Sequence, residues 1–127
     1  MNIVVDTNFL VYLAENKIFD ELYNLGYKII VPRIVDFELE KLGSDENAKA
    51  SNRDAAMLAQ NIIRKWVRLK KAKYLDREED NADEAIFNYA KKTKSIVATM
   101  DLELRERLKK AGVKIALMRQ KNHIEVE

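Results

Sequence analysis

No cysteine occurs in the 127 residues, which excludes a disulfide framework, a thiolate zinc site and a thiol nucleophile. Glycine appears three times, at Gly26, Gly43 and Gly112. None opens a G-x-x-x-x-G-K run, so a phosphate-loop nucleotide site is excluded. Proline appears once, at Pro32, and histidine once, at His123 in the tail, where a solvated surface role accounts for it. No apolar run approaches the roughly 20 residues of a membrane-spanning helix, so no membrane partner is expected. The opening MNIVVD lacks a basic region and a cleavage site, so no secretory leader is expected and a cytoplasmic location is. What is present is 47% hydrophobic and 35% charged, the balance of a globular chain, and the length suits one domain over 1–127.

Short apolar runs alternate with amphipathic ones. Strands are predicted over 2–6, 27–32, 72–75, 95–99 and 113–118, and helices over 9–25, 33–42, 53–71, 82–93 and 101–111. Pro32 suits the first turn of the second helix, and Gly26, Gly43 and Gly112 terminate three of the five. The polar stretch GSDENAKASN (43–52) reads as a mobile loop. In the helix that follows, Ala55, Leu58, Ala59, Ile62, Trp66 and Leu69 mark the core face. This alternation specifies an α/β fold with a parallel sheet covered on both faces by right-handed crossovers. Ligands of such sheets bind beyond the carboxyl ends of the strands.

Two acids fall at such ends. Asp6 closes the first strand in VVDTNFL, and Asp101 follows the fourth in VATMD. Each is equally placed to cap a helix, and Asp101 is also one turn from Arg105. Two more acids lie on helices. In RIVDFELEKL, Ile34, Val35, Leu39 and Leu42 define the inward stripe, and Asp36 and Glu40 point the opposite way. Glu38 falls about 40° from both Ile34 and Leu42, inside the stripe. A carboxylate there needs a cation, from Arg, Lys or a metal. In NADEAIFNYA, Ala82, Ile86, Tyr89 and Ala90 mark the buried face and Asp83 sits on its shoulder, while Asn81 and Glu84 have capping-box spacing. Brought together, Asp6, Glu38, Asp83 and Asp101 would repel unless a cation held them ionised, and oxygen ligands suit Mg²⁺ or Mn²⁺. Scattered caps and surface ion pairs are the alternative. The net charge is +2; with four acids neutralised, 17 acids face 23 basic residues and the balance of +6 attracts a polyanion.

In this order and spacing the four acids make the sequence resemble the PIN-domain ribonucleases. The matching segments are VVDTNFL, VPRIVDFELEKLG, NADEAIFNYA and IVATMDLELRERLKKAGVKIALM, which together span 2–118. ELEKLG and VATMDLELRERL look most like the branch that processes small-subunit ribosomal RNA in archaea and eukaryotes, and less like VapC-type toxins. The resemblance implies a three-layer α/β/α sandwich around a central, mostly parallel sheet of about five strands. It also implies Mg²⁺- or Mn²⁺-dependent hydrolysis of RNA with Asp6, Glu38, Asp83 and Asp101 as the acidic site, supported by Thr7, Asn8 and Thr99. Glu103 stands where some relatives carry a further aspartate, and no zinc-binding cysteine cluster is appended. RNA, in the first place precursor ribosomal RNA, is the implied partner, with a second copy of the chain and ribosome-assembly proteins behind it.

Two rival readings have a place for these residues. An aspartyl phosphatase would want a second acid two residues after Asp6, where this chain has Asn8. A non-catalytic RNA-binding scaffold would not need all four acids. On the long helix Arg53, Arg64, Arg68 and Lys71 lie outside the apolar stripe and are expected to face solvent and guide RNA phosphates. Lys91, Lys92, Lys94, Arg105 and Lys109 form a second basic group, and Tyr12 and Tyr23 are candidates for stacking on a base. No motif in the sequence reads a particular base.

Overall fold

Strand β1 (Asn2–Val5) lies inside the sheet because Ile3, Val4 and Val5 are apolar and buried on both faces. In the computed structural model, which describes residues 1–76 and 81–127, it leads into α1 (Thr7–Glu15) and the short α2 (Phe19–Tyr23). Strand β2 (Lys28–Pro32) is followed by α3 (Arg33–Gly43), α4 (Ala50–Arg68) and β3 (Ala72–Leu75). Helix α5 (Ala82–Thr93), β4 (Ile96–Ala98), α6 (Leu102–Lys110), β5 (Ile115–Arg119) and β6 (His123–Val126) complete the order. Among the described residues no helix is long and apolar enough to cross a membrane.

The sheet order is β3-β2-β1-β4-β5-β6, parallel throughout except for the β5–β6 pair. The chain winds outward from β1 through β2 to β3, then returns to β4 on the other side of β1. That reversal opens a crevice between the carboxyl ends of β1 and β4. Alternate residues of β1 face opposite layers: Ile3 and Val5 join the core beneath α1–α4, and Val4 joins the core beneath α5 and α6.

Three expectations are corrected. The helix read over 9–25 breaks at Asn16–Ile18, with Lys17 in the left-handed region at φ 57°. A lysine falls where the Leu10–Leu13–Ala14 stripe would continue, and the turn lets Phe19 pack edge-on against Trp66, ring centres 5.6 Å apart. The loop read over 43–52 is shorter, since α3 includes Gly43 and α4 starts at Ala50. Gly43 serves a close approach of α3 and α4 rather than termination: a Cβ there would lie 2.8 Å from Met57 Cγ. The buried face of α4 is Ala55, Ala56, Ala59, Ile63 and Trp66, whereas Leu58 and Leu69 are 43% and 58% exposed. Its alanines let α4 pack closely on both α1 and α3, which shifts the stripe. The expected central, mostly parallel sheet flanked by helices is present, and it has six strands. The β5–β6 turn places Gln120 and Lys121 at φ 51° and 70°, without the Asn-Gly or Asp-Gly signal that marks such turns.

Candidate active site

Asp6 occupies the switch point. Its backbone N–H still donates to the Ala98 carbonyl of β4 at 3.0 Å, so the sheet ladder fixes its position, while its side chain is already at the start of α1. One carboxylate oxygen accepts from the Thr7 N–H at 2.8 Å and the other from the Thr99 hydroxyl at 3.0 Å. Thr99 oxygen in turn accepts from the Asp101 N–H at 3.1 Å, and the Thr7 hydroxyl donates to Glu38 Oε1 at 2.7 Å. Two threonines therefore tie Asp6, Glu38 and Asp101 into one hydrogen-bonded chain. Asp101 caps α6 through Leu104 N–H, and Arg105 turns away to the Met100 carbonyl.

Asp83 completes the set from the first turn of α5. All four acids, with Thr7 and Asn8, line one cavity of about 690 Å³. Glu103 lines it too. The electrostatics show crowding of like charge. Burial, with smaller contributions from the Asp83 and Glu38 charges, pushes the Asp6 carboxyl up to about 6, against the two hydrogen bonds that favour its ionised form. Asp83 is raised as well, first by burial and then by Asp101, Glu38 and Glu84, with Arg107 working the other way. Among the described residues no three acids converge tightly enough to chelate an ion in this arrangement.

Two readings of α3 are reversed. Its buried arc is centred on Val35 and Leu39 and extends to Asp36, which is 9% exposed and accepts from the Tyr74 hydroxyl at 3.2 Å and from Arg64 at 3.3 Å. Glu38 is exposed at the other rim of that arc and opens on the cavity. A single-stripe helical wheel misses this because α3 packs against both α4 and β2.

The basic residues expected to guide RNA do not line the cavity. Arg53 is half-buried near the start of α4. Arg64 is held by Asp36 instead of facing solvent alone. Arg68 lies about 22 Å of helix beyond Arg53. Lys71 precedes β3, so both sit at the amino ends of the strands, opposite the acids. Among the described residues the cations that line the cavity are Lys41 and Arg107. Lys41 is one turn after Glu38, a spacing visible in the sequence. Arg107 lies over the Phe87 ring at 3.9 Å and pairs with both oxygens of Glu84, contacts that only the packing of α6 on α5 creates.

The carboxylate crevice can be set beside known proteins. The chain is 35% identical to "Ribonuclease VapC4" of Methanocaldococcus jannaschii over 98% of its own length and 95% of the relative's. It is 26% identical to "Ribonuclease VapC9" of Archaeoglobus fulgidus over 98% of its length and 87% of the relative's. Neither name is that of a ribosomal-RNA processing factor, so the branch suggested by ELEKLG and VATMDLELRERL is not supported. Those segments build the end of α3, the end of β4 and most of α6, so their pattern is that of elements of the fold. The profile of the PIN-like domain covers residues 3–121, from the strand that Asp6 follows past the helix that Asp101 caps. By this sequence match over nearly its whole length, the chain belongs to the PIN-like domain family.

Proposed function

We propose that the chain is a divalent-metal-dependent endoribonuclease of the VapC type, with Asp6, Glu38, Asp83 and Asp101 as its acidic site. The observation that carries this reading is the arrival of four acids from four separate elements at one cavity on the switch point. Their mutual repulsion fits a cation: Asp6 and Asp83 are each raised in part by the other acids of the set. All the donors are oxygen, which suits Mg²⁺ or Mn²⁺. When bound, such an ion supplies positive charge at the scissile phosphate and lowers the pKa of a water. The chain's own residues do the rest. Thr99 and Thr7 orient Asp6 and Glu38, and the exposed Glu38 and Asp101 side chains line the cavity beside them. Lys41 and Arg107 are placed to take phosphates that the acids would otherwise repel.

The direct test incubates single-stranded and structured RNA with Mn²⁺, Mg²⁺ or EDTA, beside Asp6→Asn. Cleavage is expected with metal and wild type only; cleavage that survives EDTA or Asp6→Asn would overturn the reading. A VapC-type role also sets the protein in the cytoplasm with a small antitoxin as partner, which a short gene directly upstream would support. In-cell crosslinking to precursor ribosomal RNA would speak against it.

A further inference from the structure

A groove of about 330 Å³ leaves the carboxylate cavity along α1, sharing Asn8 and Leu42 with it. Asn8, Val11, Tyr12 and Glu15 recur at i, i+3, i+4 and i+7, so one face of α1 forms its floor. Asn52, in the first turn of α4, and Met100, between β4 and α6, form the sides. The volume is at the small end of the roughly 300–1,000 Å³ of small-molecule sites, room for one ring system. Val11 and Met100 are half-buried and give it apolar walls. The Tyr12 hydroxyl donates to the Lys121 carbonyl at 2.7 Å, which holds the ring in place. The Asn8 and Asn52 amides and the Glu15 carboxylate are exposed at the groove and make no hydrogen bond to the described residues.

From this juxtaposition we propose that the groove is a subsite for one unstacked nucleobase bearing an exocyclic amine, on the strand whose phosphate lies at the acids. The proposal rests on the ribonuclease reading and goes beyond it by giving the site a base preference. Aromatic and apolar walls suit a flat ring taken out of a stack, which is how single-stranded RNA is read. Amides offer a donor and an acceptor together, and a carboxylate accepts from an amine such as cytosine N4. Uracil presents a carbonyl at that position and would face the Glu15 carboxylate with no proton between them. The groove adjoins the cavity through Asn8, so a strand seated at the acids delivers a neighbouring base to it.

Cytosine and uracil have the same ring size, so comparing them separates amine recognition from stacking. Binding of rC and rU hexanucleotides is measured by calorimetry in EDTA and low salt, where no metal-dependent cleavage runs. Wild type is expected to bind the cytosine oligomer roughly tenfold more tightly. Asn52→Ala and Glu15→Gln should each bring the two towards parity, and Tyr12→Ala should weaken both. Tyr12→Phe keeps the ring and should keep the discrimination, which controls for a folding defect. Equal binding of the two oligomers by wild type, or full discrimination in both Asn52→Ala and Glu15→Gln, overturns the proposal. Cleavage in Mn²⁺ without cytosine preference defeats this inference alone. Discrimination in EDTA without any metal-dependent cleavage defeats the ribonuclease reading alone.

Discussion

Asp6 is held by the sheet in a place that disfavours its charge. Between pH 4 and 6 the folded chain keeps a proton on Asp6 that the unfolded chain, with its carboxyl near the ordinary 3.8, has already lost. Where the native state binds more protons, stability falls as pH rises. Asp6 therefore destabilises the metal-free fold progressively across this window and fully above it, by up to about 3 kcal/mol. Asp83 acts in the same direction. Asp6→Asn is expected to melt higher than wild type at pH 7.5 without metal, and to converge with it below about pH 4; thermal melts across pH in EDTA measure both. A mutant less stable than wild type at pH 7.5 would show that the carboxylate's hydrogen bonds outweigh its burial. Thr99 makes a second test, because its hydroxyl joins Asp6 to the Asp101 backbone. Thr99→Val keeps the shape and removes the link, and should reduce Mn²⁺ affinity or cleavage roughly 10- to 100-fold.

At the scale of elements, the site depends on which helix faces look over the crevice. Lys41 on α3 and Arg107 on α6 look over it, while Arg68 and Lys71 lie at the far end of the sheet. Lys41→Ala with Arg107→Ala should weaken RNA binding and flatten its salt dependence by roughly 0.7 of a log unit per lost phosphate contact. Arg68→Ala with Lys71→Ala should leave both unchanged; filter binding over a salt series separates the pairs, and the reverse result would move the RNA path to α4. This contrast marks how far the sequence could be read. The elements were legible because VVD, KIIVP and IVAT are buried runs flanked by amphipathic ones, and Asp6 and Asp101 followed from the strand ends. Asp36 and Glu38 exchanged places because two packing partners widen the buried arc of α3, which no single stripe conveys. Strand β6 escaped because its turn uses Gln120 and Lys121, and Arg107 because its role is made by contact between α5 and α6.

For the whole molecule, the order β3-β2-β1-β4-β5-β6 explains why the charge lies where it does. A sheet wound outward and then back leaves one crevice at its carboxyl edge, and the first residue after β1 and the third after β4 fall in it by topology alone. The chain has placed Asp6 and Asp101 there and has brought Glu38 and Asp83 beside them from helices on opposite faces of the sheet. The apolar packing does not require acids at these positions, since Val5 and Ala98 already close the cores beneath them, although Asp6 and Asp101 also cap α1 and α6. Burial of Asp6 and Asp83, with repulsion between the acids behind it, is an energy stored against folding, and on the proposed reading a divalent ion that bound only the assembled cluster would return it. At Mn²⁺ ten times above its dissociation constant, linkage gives about 1.4 kcal/mol, which raises the melting temperature of a domain this size by about 5 °C. The increment should disappear in Asp6→Asn and shrink below pH 6, where Asp6 holds its proton and competes with the ion. A calorimetric melt with and without Mn²⁺ at pH 5 and pH 7.5 reads all of these at once. An equal rise in the mutant would place the ion on exposed surface carboxylates, away from the crevice.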